Sequence, residues 1–244
     1  MHTISLQELF GIKNPRTSVV VKIILWASLL LCIAITSTLA MIEIMDNCPT
    51  YANTTWKLDQ HDCNGDSPML LSRAITTVST VRGLAISMSL LGALLVDTPA
   101  LQGDDHSPIH NVLKYAFFCF AIAFTVSMFD AHNPHTILIV TGSVVALVAT
   151  YPRGERVKET LFCPCCFTKT WWWALWITTV VSAVVWINGY IQTSLPENQP
   201  SLRSYWYVAE YVFFALLLET VAFVNIYLEL RDYSGREFRN LDEK

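Results

Sequence analysis

Two acidic residues lie inside the last long apolar stretch of the chain, at positions 205–229, and they are Glu210 and Glu219. A charged side chain in the hydrocarbon core of a bilayer is unfavourable by about 2.5–3.5 kcal/mol on insertion scales. Such a residue therefore needs an oppositely charged partner or a polar cavity. The most informative question that the sequence raises is what these two acids contact.

Two arginines, Arg73 and Arg82, lie in a second apolar stretch at positions 69–96. If both stretches cross the membrane in the same direction, Arg73 and Glu210 lie roughly 6–8 Å from one boundary, and Arg82 and Glu219 roughly 20 Å from it. The matching depths predict Arg–Glu pairing between these two spans. Nine residues turn a helix through roughly 900°, so the two arginines point to opposite sides and one helix–helix contact holds only one pair. Separate snorkelling, or contact with backbone carbonyls, is the alternative.

A short turn between two apolar stretches carries Asp130, His132 and His135. These are metal-ligand types, but so short a turn cannot close a coordination shell alone. Solvated loop histidines are the commoner arrangement, so no metal site and no cofactor is predicted. The same interpretation applies to a second acidic and histidine-containing loop, formed by Asp104, Asp105, His106 and His110.

Three cysteines, Cys163, Cys165 and Cys166, lie in a loop beside basic residues and a tryptophan-rich boundary. A structural zinc site needs four ligands, and no histidine is nearby in this loop. Juxtamembrane cysteines of this kind favour S-palmitoylation. Reduced, unmodified thiols are the alternative.

These residues must be positioned by membrane-spanning helices. The chain of 244 residues is 53% hydrophobic and 15% charged, whereas soluble domains carry about 25% charged residues. Long apolar runs predict an all-α, polytopic membrane protein in which residues 1–244 form a single domain. The predicted spans are 19–44, 69–96, 112–129, 134–151, 171–190 and 205–229, the fourth capped by Asn133 with Pro134 in its first position.

Charge in the flanking segments predicts the orientation of this six-helix bundle. Ten Lys and Arg residues flank the spans on the side of the N-terminus, and only Lys57 and Arg203 lie in the segments on the other side. The positive-inside rule therefore places both termini in the cytoplasm. Lys22 and Lys114 lie just inside spans one and three, where we expect them to snorkel to the cytoplasmic boundary. The tryptophans at the start of span five fit an interfacial aromatic belt.

The first outer loop supports the same orientation. Asn53 begins an N-glycosylation sequon, and Cys48 and Cys63 flank it. In an oxidising lumen these cysteines would close a loop whose disulfide contributes on the order of 3 kcal/mol. Two free thiols and an unused sequon are the alternative. Cys32 and Cys119, inside spans, are predicted to be core residues.

Several of these features together resemble the FRAG/DRAM/SFK family of six-span membrane proteins, which includes the damage-regulated autophagy modulators and a GPI-anchor remodelling protein. The matching residues are Arg73, Arg82, Phe129, His132, His135, Glu210, Tyr211 and Asn225. Two features depart from the family: Asn225 is followed by Ile226 and Tyr227 rather than by an aromatic–histidine pair, and the Cys-Pro-Cys-Cys loop is not typical of it.

The resemblance implies a non-transporting membrane protein that affects lipid handling or membrane traffic, and it transfers no catalytic residue. We therefore expect a regulator or accessory factor in lipid remodelling, membrane trafficking or autophagy. The alternatives are an accessory or structural subunit of a larger membrane assembly, and an intramembrane lipid-modifying enzyme that uses Glu210, Glu219 or His135. The expected partners are membrane lipids or other membrane proteins, not nucleic acid, in the Golgi, endoplasmic reticulum, lysosome or plasma membrane.

Overall fold

Every regular element in the described part of the chain is helical. The computed structural model describes residues 4–46, 78–101, 108–129, 132–152, 169–193 and 200–242. The helices are α1 (Leu6–Phe10), α2 (Pro15–Asp46), α3 (Ser79–Asp97), α4 (Pro108–Val126), α5 (His132–Ala149), α6 (Lys169–Thr193) and α7 (Pro200–Asp242), with a 3-10 turn at Ser127–Phe129 after α4.

Five of these helices contain segments long and apolar enough to cross a bilayer. They are Pro15–Ala40, Ser79–Asp97, Pro108–Phe129, Lys169–Gly189 and Val208–Leu230, and a shorter apolar segment, Pro134–Ala149, lies in α5. An apolar helix satisfies its own backbone hydrogen bonds, which is why helices of this kind can span hydrocarbon. The prediction of an all-helical, polytopic membrane protein is confirmed at this level.

Two predicted boundaries differ from the structure. The helix α5 begins at His132, so Asn133 is already helical and is not the N-cap, and Pro134 occupies the third position. Proline is tolerated there because the first backbone N–H groups of a helix have no intrahelical acceptor. The helix α7 has 43 residues and continues well past the predicted end at Glu229, to a length of about 65 Å.

The helices pack as a closed circuit. The helix α2 contacts α3, α3 contacts α4, α4 contacts α5, and α7 completes the circuit by contacting both α5 and α2, while α6 packs along α7. The core lies inside this circuit and contains large side chains that are almost fully buried, among them Trp26, Leu113, Phe213 and Leu217. The α7 helix is central because it contacts three other long helices.

Two glycines allow the helices on either side of α4 to approach it closely. A Cβ atom at Gly92 of α3 would lie 2.4 Å from Cε1 of Phe117, and one at Gly142 of α5 would lie 2.9 Å from Cε1 of Phe120. Small residues at helix contacts in membranes permit this kind of approach. The phenylalanine rings of α4 thus occupy space that a side chain on either neighbour would fill.

The short helix α1 is fixed to the end of α3. Ser5 and Glu8 form a capping box, and Gly11 ends the helix with φ of 63°, a left-handed conformation that glycine adopts without a steric penalty. The backbone N–H of Leu6 donates to the carbonyl of Pro99 at 2.8 Å, and the Leu6 side chain is buried. The N-terminal segment is therefore anchored to the chain that follows α3.

Candidate functional site

A buried ion pair joins the first and last long helices. Lys22 of α2 contacts Glu229 of α7, with side-chain exposures of 0% and 3%. The Lys22 ammonium also donates to the carbonyl of Thr98 at 2.8 Å. The second carboxylate oxygen of Glu229 accepts the backbone N–H of Ala100 at 2.9 Å. We call Lys22, Glu229, Thr98 and Ala100 the polar clamp, because it ties α2 and α7 to the segment after α3.

Helical spacing places further polar groups beside the clamp. Ser18, Lys22 and Trp26 follow one another at intervals of four along α2, and Asn225 lies four residues before Glu229 on α7. Residues four apart lie on the same face of a helix. The Trp26 indole donates to the side-chain oxygen of Asn225 at 3.3 Å, and the Ser18 hydroxyl donates to the carbonyl of Ala100.

The segment after α3 needs these partners because its backbone is buried. The helix ends at Asp97, Thr98 is extended with φ of −95° and ψ of 107°, and Ala100 and Leu101 are 0% exposed. Buried backbone N–H and C=O groups must be paired to avoid a large desolvation penalty. A cation near the C-terminus of a helix also interacts favourably with the helix dipole. Lys22 and Glu229 together satisfy one carbonyl and one N–H of this segment.

The geometry of the clamp indicates structural stabilisation and not proton transfer. Both carboxylate oxygens of Glu229 are bonded within the protein, and neither charged side chain has appreciable exposure. A general acid or base must reach the proton that it transfers. Removing one partner of a buried ion pair, by contrast, leaves an unpaired buried charge and strongly destabilises the fold.

The expectation for Lys22 was wrong. Snorkelling would leave its ammonium at the membrane boundary, whereas the side chain is 0% exposed and bonded to Glu229. Glu229 is the last residue of the predicted span 205–229, so the predicted pairs inside the spans do not include it. Lys114 does lie near the end of its span, but its ammonium contacts Asp97 at 2.7 Å. A search for acids at the depth of each span-end lysine could have found both pairs.

The deep Arg–Glu pair between spans two and six does not form. Arg82 donates instead to the carbonyl of Ser127, at 3.4 Å, and Glu219 is exposed on the surface of α7. Counted from the clamp, Arg82 lies about 24 Å away along α3 and Glu219 about 15 Å away along α7. The two residues therefore do not share a depth, and Glu219 also faces away from the bundle. Arg73 lies outside the described residues, so its pairing with Glu210 stays a prediction. Glu210 itself is buried, with 2% exposure.

Two histidines, His135 of α5 and His110 of α4, are buried and are not solvated loop residues. His135 is 4% exposed, its Nδ1 lies 2.9 Å from the carbonyl oxygen of Ala123, and its ring centroid lies 5.9 Å from that of Phe124. His110, at the start of α4, is also 4% exposed. Helical packing buries both rings, so the prediction that these two histidines lie in solvated loops was wrong. The backbone of His132 is helical.

No group of three His, Cys, Asp or Glu side chains that could hold a metal occurs within the described ranges. Several predicted site residues lie outside those ranges: Asp104, Asp105, His106 and Asp130, the cysteines Cys48, Cys63, Cys163, Cys165 and Cys166, and the sequon residue Asn53. Of the cysteines predicted to be in the core, Cys32 is exposed and Cys119 is half-buried. The prediction for Cys32 was wrong because it faces away from the bundle.

Two tryptophans at the start of α6 form hydrogen bonds to the end of α5. The indole N–H of Trp172 donates to the carbonyl of Thr150 at 2.7 Å, and that of Trp176 donates to the carbonyl of Leu147 at 2.9 Å. The last carbonyls of a helix lack intrahelical donors. These two side chains therefore cap the end of α5 from α6, and Trp172 is 0% exposed.

An apolar cavity of about 80 Å³ lies among the long helices, about 16 Å along α2 and α7 from the clamp. Its lining comes from α2, α3, α4, α5 and α7 and consists of Ile33, Thr36, Ser37, Ala85, Met88, Ser89, Phe117, Phe120, Phe124, Ile139, Phe214, Leu217 and Leu218. Phe117 connects it to the clamp region, since its ring centroid lies 6.1 Å from that of Trp26. The hydroxyls of Ser37 and Ser89 donate to carbonyls of their own helices, at 2.7 Å and 2.8 Å.

Comparisons with other proteins give no assignment: no family model matches the chain, and no curated protein or solved structure matches it.

Proposed function

We propose that this chain is a six-span membrane protein, with both termini in the cytoplasm, that acts as a non-catalytic regulator or accessory factor in lipid remodelling, membrane trafficking or autophagy. The basis in sequence is the resemblance to the FRAG/DRAM/SFK family together with the charge asymmetry of the loops. The glycan on Asn53, the Cys48–Cys63 disulfide and palmitoylation of the Cys163–Cys166 loop belong to the same proposal. Its setting is an endomembrane compartment or the plasma membrane.

The observation that carries this proposal is the apolar cavity among the spans. It measures about 80 Å³, and roughly 10–15 Å³ by the same measure accommodates one water-sized group. The cavity therefore has room for about six such groups in apolar surroundings, where water is not stable. A segment of a lipid acyl chain fits this description, and acyl chains are the medium that surrounds the spans.

The ionisable groups support a non-catalytic role. Lys22 and Glu229 are bonded within the protein, and the ring of His135 faces a backbone carbonyl. Acid–base catalysis needs a group within hydrogen-bond reach of substrate. Of the groups that the enzyme alternative would use, His135 contacts a backbone carbonyl, Glu210 is buried with 2% exposure, and Glu219 is exposed on the outer face of α7.

Photolabelling tests the acyl-chain site directly. The full-length protein is reconstituted with phosphatidylcholine that carries a diazirine on one acyl chain, irradiated, and analysed by peptide mass spectrometry. We expect labelling to concentrate on cavity residues such as Met88 and Phe120. Ala85→Phe, which fills the cavity, should remove that labelling, and Ala27→Phe on the exposed face of α2 should not. Labelling spread evenly over exposed residues such as Leu91 would contradict an acyl-chain site.

A rescue experiment tests the cellular role. Cells lacking the protein are compared with rescued cells for membrane lipid composition, transport of a secretory reporter and autophagic flux. Where lipid composition, reporter transport or autophagic flux is altered in the cells that lack the protein, the wild type and the Ala27→Phe control should restore it. Ala85→Phe should not. If His135→Asn or Glu219→Gln reaches normal abundance and location yet abolishes a change in lipid chemistry, the enzyme alternative is favoured instead.

A further inference from the structure

An acidic side chain is exposed at the middle of a membrane-spanning segment. Glu219 is the twelfth of the 23 residues in the apolar segment Val208–Leu230 of α7, and its side chain is exposed. Either end of the segment is about 16 Å away along the helix, which is beyond the reach of a glutamate side chain. A carboxylate cannot snorkel to water from this depth, as it can near a span end. The bundle itself therefore leaves an unfavourable contact between Glu219 and hydrocarbon.

The exposed residues next to Glu219 form a regular stripe along α7. Val208 and Val212 are 51% and 45% exposed, and Ala215 is exposed. From Val208 through Val212 and Ala215 to Glu219, the steps along the helix are four, three and four residues. This is the spacing at which one helix packs against another with side chains interlocking. One turn further on, Ala222 is 7% and Ile226 is 5% exposed, so the stripe ends at Glu219. We call Val208, Val212, Ala215 and Glu219 the α7 seam.

We propose that the α7 seam binds a transmembrane helix of another membrane protein, one that carries a Lys or Arg at the depth of Glu219. The small residue Ala215 lets a second helix approach closely. A basic side chain opposite Glu219 would then neutralise the carboxylate where the hydrocarbon cannot. The proposal goes beyond the lipid-related function and depends only on α7 spanning the membrane.

Charge complementarity selects another protein over a second copy of this chain. A two-fold contact along the seam would place Glu219 opposite Glu219, and like charges repel. Within the described parts of the membrane-spanning segments, the one exposed cation is Arg16, in the first turn of α2 and far from mid-depth. Lys22 and Lys114 are already paired with acids.

Site-specific photocrosslinking in intact cells tests the seam. Benzoylphenylalanine is introduced at Val212, and at Ala34 on the exposed face of α2 as a control position. The crosslinked peptides are identified by mass spectrometry. We expect position 212, and not position 34, to crosslink to a transmembrane segment of another protein that contains a Lys or Arg.

Two variants with a matched control test the chemistry. Glu219→Gln should lower the crosslink yield by roughly 3-fold to 30-fold, the range expected for one polar contact between helices in a membrane. Ala215→Phe should also lower the yield, because its ring prevents the close approach of a second helix. Ala34→Phe adds the same bulk to another exposed face and should leave the yield unchanged. Exchange of charges, Glu219→Lys with the partner's cation changed to Glu, should restore the yield.

Other outcomes would overturn the proposal. They are crosslinks to lipid alone, to a second copy of this chain, or to a helix without a basic residue, and a yield that Glu219→Gln leaves unchanged. Each variant is first checked for normal abundance and location, so that misfolding is recognised. The acyl-chain site is tested by lipid photolabelling and the α7 seam by protein crosslinking. Either proposal can therefore fail while the other holds.

Discussion

Removing one charge of the polar clamp should destabilise the protein far more than removing both. In Lys22→Met, the carboxylate of Glu229 stays buried, with 3% exposure, and the carbonyl of Thr98 loses the donor that lies 2.8 Å away. In Glu229→Gln, the ammonium of Lys22 stays buried without its counter-charge. Breaking a buried pair from one side typically destabilises by about 3–5 kcal/mol.

The double variant Lys22→Met/Glu229→Gln should recover most of that loss. It leaves no buried charge, and the glutamine oxygen can still accept the N–H of Ala100, whose present donor–acceptor distance is 2.9 Å. Replacing a buried ion pair by neutral groups of similar size is often neutral or stabilising. Single losses of about 3–5 kcal/mol each and a double loss of about 1 kcal/mol correspond to a coupling energy of about 5 kcal/mol or more, above the usual range of about 0.5–3 kcal/mol for residues in direct contact.

Thermal unfolding of the purified, full-length protein in detergent measures this cycle. If the scaling of soluble domains applies, each single variant should lower the midpoint temperature by roughly 6–20 °C, and the double variant by only a few degrees. Additive losses in the double variant would show that the two side chains do not interact. Losses under about 1 kcal/mol in both single variants would show that the charges are solvated and not buried.

Three further predictions concern packing and polar contacts, and thermal unfolding checks each. Gly92→Ala should destabilise by about 1–3 kcal/mol, because its Cβ would lie 2.4 Å from the ring of Phe117, whereas Gly83→Ala, with nothing within 4 Å, should be neutral or stabilising by up to about 1 kcal/mol. Trp172→Phe should cost about 1–3 kcal/mol, since it orphans a buried carbonyl just past the end of α5. Lys114→Met should change stability by less than about 1 kcal/mol, because its ion pair is 25% and 36% exposed.

The helices of this protein were predictable because apolar length alone identifies a membrane-spanning segment. Within the described residues, long helices lie where the apolar runs predict them, and some of their ends differ from the predicted bounds. The helix α7 continues to Asp242 because its charged second half contains no proline, and its single glycine, Gly235, costs only about 1 kcal/mol in a helix that the apolar half has already formed. The helix α5 includes residues before Pro134 because proline is compatible with the first turn.

Contacts between helices were less predictable, and the reason is directional. A sequence gives the depth of each residue along its span, but not the direction in which its side chain points relative to the other helices. The predicted spans place Arg82 and Glu219 at one depth, yet Arg82 contacts a carbonyl after α4 and Glu219 faces outward. His135 could be placed at the end of a span, but its burial depends on how α4 packs against α5.

Lys22 and Glu219 are both ionisable residues inside predicted spans, but their roles differ because their side chains point in different directions. Lys22 points into the bundle, where a helix end and a carboxylate offset the cost of burying it. Glu219 points out of the bundle at mid-depth, where nothing in the surrounding hydrocarbon can do so. An ionisable residue that is satisfied internally stabilises the fold, whereas one left on the outer face is stabilised only by something that binds there. The unmatched charge on α7, and not the matched one on α2, is therefore the better indication of an interaction with another molecule.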